Sequence, residues 1–116
     1  VNSPYIEQSV VIGDNKNFIG ALIVPAFEAI QNYLKESGKD LSSNDDIIAD
    51  SDAKALIQSE IDSAMENFSN YERIKEFSLL PRLLALEKGE LTPTLKVIRK
   101  VVLENFSDQV DKIYSD

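Results

Sequence analysis

Residues 9–25 hold two short apolar runs separated by turn chemistry, and no other stretch narrows the choice of folds as much. Ser9-Val10-Val11-Ile12 is β-branched and reads as a strand. Gly13-Asp14-Asn15-Lys16-Asn17 is turn chemistry, because glycine permits positive φ and Asp and Asn tolerate it. Phe18 to Val24 reads as a second strand, ended by Pro25. Strands joined this closely form an antiparallel hairpin. Ala21-Leu22-Ile23-Val24 is apolar on both faces, which places that strand centrally, under helices.

The remaining elements follow from periodicity. Ser3-Pro4 starts extended or in a turn, and Tyr5 to Gln8 reads as the end of a short helix or a loop. A first helix spans Ala26 to Ser37, with Phe27, Ile30, Tyr33 and Leu34 on one face and Gly38 as terminator. Lys39 to Asp50 is polar and acidic and reads as a surface loop, with a short helical turn at Asp45–Ala49. A second helix runs from Ser51 to Asn67. Asp50 or Ser51 can cap it, Asp52 suits its positive end, and Ala53, Leu56, Ile57, Ile61, Ala64, Met65 and Phe68 form its stripe. Tyr71-Glu72-Arg73 is a connector. Ile74 to Leu80 reads as a third strand, ended by Pro81. Leu83, Leu84 and Leu86 suggest packing, with a helical turn possible between Arg82 and Lys88. Ile98, Val101, Val102 and Phe106 line a third helix, and Ser107 to Tyr114 a last one. The expectation is α+β: a small three-stranded, mostly antiparallel sheet with about four helices packed around it. The 116 residues fit one domain, and a chain of this size buries roughly two-thirds of its unfolded surface.

Composition removes several classes of function. There is no histidine and no cysteine. Imidazole-based catalysis, thiolate nucleophiles and thiolate metal sites are therefore excluded. The acidic pairs Asp45-Asp46 and Asp50 with Asp52 lack the glycine and closing glutamate of an EF-hand loop, so no metal is expected. No glycine-rich phosphate loop is present. The net charge is −8, with fourteen acids and six bases in residues 1–80 and six of each in 81–116. Nucleic acid is not an expected partner, since a binding footprint for it is basic. The only local cationic cluster is Lys88, Lys96, Arg99 and Lys100. No apolar run approaches the ~20 residues of a bilayer span, and the lack of cysteine fits a reducing compartment such as the cytoplasm. The chain opens on Val1-Asn2-Ser3-Pro4 without a methionine and reads as a fragment of a longer protein.

That cluster surrounds Gly89-Glu90-Leu91-Thr92-Pro93-Thr94-Leu95-Lys96-Val97-Ile98-Arg99-Lys100. Pro93 fixes φ and removes a donor, while Thr92 and Thr94 offer hydroxyls that can bond locally or to a partner. A loop lysine just before a helix reaches outward as a flexible point charge, suited to a phosphate or carboxylate in another domain's cleft. Arg99 could fix the loop by an ion pair or help bind phosphate. On spacing alone, Lys96, Arg99 and Lys100 are also what the ordinary solvated face of a helix looks like.

This segment, the closing Ile113-Tyr114, and Tyr5-Ile6-Glu7-Gln8-Ser9-Val10-Val11-Ile12-Gly13-Asp14 with Ala21-Leu22-Ile23-Val24-Pro25 resemble the C-terminal domain of long-chain fatty-acid–CoA ligases, in the adenylate-forming superfamily. The resemblance covers nearly the whole chain. Leu95 stands where shorter-chain relatives usually have glycine, which favours the long-chain branch. The resemblance implies a two-step ligase: ATP and a fatty acid give acyl-adenylate and pyrophosphate, then CoA displaces AMP. ATP and CoA are substrates and Mg2+ accompanies them in the full-length enzyme, with none expected on this fragment. The implied partner is the N-terminal adenylation domain of the same protein, which holds ATP and the acyl chain. It and the hinge are absent from this chain, so residues 1–116 are expected to be an inactive C-terminal lid. The resemblance assigns Lys96 to the adenylation step. Arg99 and, more weakly still, Thr92 and Thr94 could touch the nucleotide. Because long-chain acyl substrates partition into membranes, peripheral membrane association of the whole enzyme is also compatible with it. Two alternatives stand beside this reading: a relative acting on another carboxylic acid, and a stand-alone acidic interaction module. The lid mechanism requires Lys96 to be exposed and without a strong partner inside its own domain.

Overall fold

Ile6–Ile12 (β1) and Ile19–Pro25 (β2) pair antiparallel, with Val10 opposite Leu22 and Ile12 opposite Gly20. The structure is a computed structural model and describes residues 3–13, 18–66 and 73–114. The turn expected at 14–17 and the connector at 71–72 lie outside those residues. After β2 the chain forms α1 (Phe27–Glu36), α2 (Asn44–Ala49) and α3 (Ser51–Ala64), then returns as β3 (Ile74–Leu79). This helical crossover brings β3 alongside β2 in parallel, in the order β1-β2-β3. The sheet is therefore mixed, with the expected hairpin as its antiparallel half and the expected apolar strand at its centre. Arg99–Asn105 (α4) and Ser107–Tyr114 (α5) complete the chain. Five helices are present among the described residues, the short turn expected at Asp45–Ala49 being the fifth.

The central strand feeds two cores. Ala21 and Ile23 face one cluster with Ile30, Leu34, Ile47, Ile57 and Ile61 from α1, α2 and α3. Leu22 and Val24 face the other, with Leu80, Leu84, Val102, Phe106 and Ile113. The period-2 alternation of a strand under helices on both faces accounts for this division.

Tyr5 to Gln8 is not the end of a helix. Ile6, Glu7 and Gln8 belong to β1, because β2 supplies pairing partners as far as Pro25. A register shift lies between Ile6 and Gln8. By simple alternation Ile6 would share a face with Val10 and Ile12, yet it joins the α1–α3 core while they join the other. A bulge inserts one residue and reverses the faces, which explains the change.

Helix ends follow local chemistry. Gly38 N–H bonds to the Lys35 carbonyl (3.0 Å) and Lys39 N–H to the Leu34 carbonyl (2.8 Å), closing α1 in a Schellman motif. The Asp50 carboxylate accepts from Ala53 N–H at 3.0 Å and caps α3. Lys39 joins both ends of this corner, at 2.7 Å from Asp50 and 2.8 Å from Asp52. α3 stops at Ala64, with Met65 as its cap residue; the expected continuation to Asn67 and Phe68 falls outside the described residues.

Residues 81–90 form no helix. Only Leu84 of the three leucines is buried there; Leu83 and Leu86 are exposed. The last helix closes on the hairpin. The Tyr114 hydroxyl lies 2.9 Å from the Phe18 carbonyl and 3.1 Å from that of Ile12, and its ring packs on Phe18 at 4.7 Å. Burial raises the Tyr114 pKa. Gly20 permits this closure, since a Cβ there would stand 2.8 Å from Ile113 Cγ2. Among the described residues no helix is long and apolar enough to cross a membrane.

Candidate functional site

Lys96 sits on a small hairpin between the sheet and α4. Leu91 and Val97 pair across its base as an antiparallel bridge. Thr92 N–H donates to the Lys96 carbonyl (2.8 Å), and Leu95 N–H to the Thr92 carbonyl (2.8 Å). The loop is thus Pro93, Thr94 and Leu95, with proline where its fixed φ starts a turn. Three-residue loops commonly end on a left-handed residue, and Leu95 has φ 64°. For a residue with a Cβ this conformation costs about 1–2 kcal/mol.

The threonines brace the turn. Thr92 Oγ1 accepts from Lys96 N–H at 3.0 Å and lies 3.1 Å from Thr94 Oγ1. Of the two roles open to these hydroxyls, local bonding is the one observed. Arg99 opens α4, and its Nη2 donates to the Val11 carbonyl at 2.9 Å, tying the hairpin to β1. Between them lies a shallow depression of about 470 Å3, bordered by Val11, Gly13, Ile19, Val97 and Arg99. Lys88, Lys96, Arg99 and Lys100 are all exposed. The Lys96 ammonium makes no ion pair or hydrogen bond with a described residue, which is the state the lid mechanism requires.

The hairpin grows from a buried carboxylate. Glu90 is fully buried, the only charged residue so placed among the described residues. Arg82 grips both of its oxygens at 2.7 Å; Ala85 N–H and Asn105 Nδ2 each donate at 2.9 Å. Arg82 also lies over the Phe106 ring at 4.7 Å. These donors, Arg82 first, outweigh the burial penalty and hold the Glu90 pKa down to about 2. The Glu90 carbonyl accepts from Ile98 N–H at 2.8 Å, so the same residue fixes both strands of the hairpin stem. Sequence reasoning missed this clasp. Its side-chain partners Arg82 and Asn105 stand 8 and 15 residues from Glu90, and the one available signal was an acid standing in an otherwise basic run.

The arrangement offers a mobile-ended positive charge on a stiff support. The four donors on Glu90 occupy both its oxygens, so the nearest buried acid does not fit a metal.

A sequence profile described as the AMP-binding enzyme C-terminal domain matches residues 1–116. Long-chain-fatty-acid–CoA ligase FadD15 of Mycobacterium tuberculosis is 40% identical over 113 residues, covering 97% of this chain and 19% of that protein. Long-chain-fatty-acid–CoA ligase 1 of Cavia porcellus is 28% identical over 121 residues, covering 99% of this chain and 17% of that protein. The chain therefore spans less than a fifth of the length of these relatives. Among solved structures, the adenylation domain of a carboxylate reductase from Mycobacterium chelonae superposes with a TM-score of 0.74 at 22% identity, covering 98% of this chain and 16% of that one. A didomain of carboxylic acid reductase from Segniliparus rugosus, in complex with AMP, gives 0.74 at 19% identity, covering 98% and 14%. At these identities the two structures establish the fold.

Proposed function

The chain belongs to the AMP-binding enzyme C-terminal domain family and is homologous to long-chain fatty-acid–CoA ligases, and from that premise we propose that it is the lid of an ATP-dependent, AMP-forming long-chain fatty-acid–CoA ligase. In the first half-reaction a fatty-acid carboxylate attacks the α-phosphate of ATP and pyrophosphate leaves. In the second, the CoA sulfur attacks the acyl carbonyl and AMP leaves. ATP with its Mg2+, the fatty acid and the acyl-adenylate are held by an N-terminal adenylation domain of the same polypeptide. This chain supplies Lys96, whose ammonium meets the negative charge gathering between carboxylate and α-phosphate. Arg99 supports the loop from β1 and lies close enough in sequence to assist the phosphate; Thr92 and Thr94 keep the turn in shape. The charge arrives and departs with the domain, so closure gates the step. The reading carries with it a cytoplasmic enzyme, peripheral to membranes where its substrate resides.

The observation that supports this best is an exposed lysine, its ammonium without a partner among the described residues, on a braced hairpin. The similarity of the fold to carboxylate reductase adenylation domains supports a second reading, in which the same lid serves another carboxylic acid. The identity to FadD15 favours the fatty acid. The test is Lys96→Ala in the full-length enzyme, with the half-reactions assayed separately. Pyrophosphate exchange with palmitate should fall by about 10²–10³-fold, the usual loss on removing one oriented charge. Thioester formation from preformed acyl-adenylate should persist. An unchanged exchange rate would make Lys96 an ordinary solvated lysine of the hairpin; a broader acid specificity would favour the second reading.

A further inference from the structure

Leu95 carries two costs at one position. Its backbone lies at φ 64°, where glycine is at ease and a Cβ is not. The residue is 70% exposed, more than any other exposed large hydrophobic residue described. The hydrogen bonds of the hairpin do not explain either cost. They use the Leu95 N–H, the Thr92 groups and the Lys96 main chain, all of which a glycine would leave in place. Residues held in such conformations by their surroundings cluster at functional sites.

What that side chain meets is set by its neighbour. Leu95 and Lys96 are adjacent on one braced turn and both are exposed, so a surface that closes over the tip of the turn meets both. Val97, on the other side of the lysine, is 40% exposed. The charge is therefore flanked along the chain by apolar side chains. We infer that Leu95 is a positioning residue that docks into an apolar recess of the adenylation domain beside the reacting carboxylate. There it sets how deeply the Lys96 ammonium reaches and helps keep water from the acyl-adenylate. This rests on the lid reading above and deepens it.

Burying one leucine side chain at closure corresponds to about a tenfold to hundredfold change in rate. The test uses the full-length enzyme with Leu95→Gly, Leu95→Ala and Leu95→Met, and Lys96→Ala as control. Each is assayed for pyrophosphate exchange at saturating ATP and palmitate, and for acyl-adenylate hydrolysis without CoA. Glycine relaxes the backbone and removes the side chain, alanine removes the side chain alone, and methionine restores an apolar side chain of similar size. The expected result is an exchange rate lowered about tenfold or more in both Leu95→Gly and Leu95→Ala, faster hydrolysis, and recovery in Leu95→Met to within about twofold. Thermal melting of each variant should show an intact lid, with Leu95→Gly no less stable than the native protein. Native exchange in Leu95→Gly, with or without loss in Leu95→Ala, overturns the docking role, as does failure of Leu95→Met to recover. If Lys96→Ala keeps native exchange, the lid reading itself falls and this inference with it.

Discussion

At Glu90 a carboxylate without solvent contact holds together three segments that share no sequence spacing. Arg82 comes from the chain after β3, Glu90 from the hairpin stem and Asn105 from the last residue of α4. A buried ion pair is costly to break from one side, because the remaining charge loses its partner. Arg82 is about a third exposed, with a side-chain exposure of 34%, so water relieves part of that cost. Glu90→Gln should accordingly destabilise the chain by about 2–3 kcal/mol near neutral pH, read by urea unfolding. The pH dependence has a definite sign. Glu90 is held at about 2 against an ordinary 4.5. Its contribution is complete above the unfolded value and erodes as pH falls through the window from 4.5 to about 2. The deficit of Glu90→Gln should therefore shrink by roughly 2 kcal/mol between pH 7 and pH 3. An equal deficit at both would mean that the charge on Glu90 contributes nothing to the clasp.

Elements were legible in the sequence where one local signal was enough. The apolar run at residues 21–24 announced a central strand, and both cores are built from it. Asp50 announced the start of α3 by its capping chemistry, and its carboxylate does accept from Ala53 N–H. What escaped depended on partners distant in sequence: the extension of β1 back to Ile6, the bulge that turns Ile6 to the other core, the exposure of Leu83 and Leu86, and the Arg82–Glu90 clasp. The turn that carries Lys96 was marked in the sequence by Thr92-Pro93-Thr94, whereas its support was not, since hydrogen bonds to Glu90 converge only after folding. Capping gives this scale its own prediction. Asp50 caps α3 and also pairs with Lys39, and both interactions lower its pKa, Lys39 more. Asp50→Ala removes the two together and should cost about 1–2 kcal/mol in thermal or urea unfolding. Asp50→Asn keeps a cap acceptor while removing the charge, and should recover more than half of the loss. If the two variants unfold alike, the ion pair and not the cap stabilises this corner.

Across the whole molecule the charge asymmetry of the sequence becomes an asymmetry of faces. The acidic residues of α1, α2 and α3 lie in the layer on one side of the sheet, and the lysine hairpin, α4 and α5 form the layer on the other. Residues 81–116, which hold the hairpin, α4 and α5, are neutral in sum while residues 1–80 are acidic, so the domain approaches an anionic cleft with the hairpin side foremost. The chain has no histidine or cysteine, the Lys96 side chain is exposed, and the match to FadD15 covers 19% of that protein. The 116-residue chain alone should give no pyrophosphate exchange with ATP and palmitate. Mixed with the complementary polypeptide, it should restore exchange in proportion to its concentration. The restored activity stays well below that of the intact enzyme, because a tether supplies a local concentration on the order of millimolar that mixing does not. Added salt should weaken this restoration more than it weakens the intact enzyme, since unlinked association depends on the exposed cations finding their cleft. Exchange catalysed by the chain alone would remove the lid reading. Restoration by a chain carrying Lys96→Ala, at the native level, would show that docking of the domain and not its charge drives the first half-reaction.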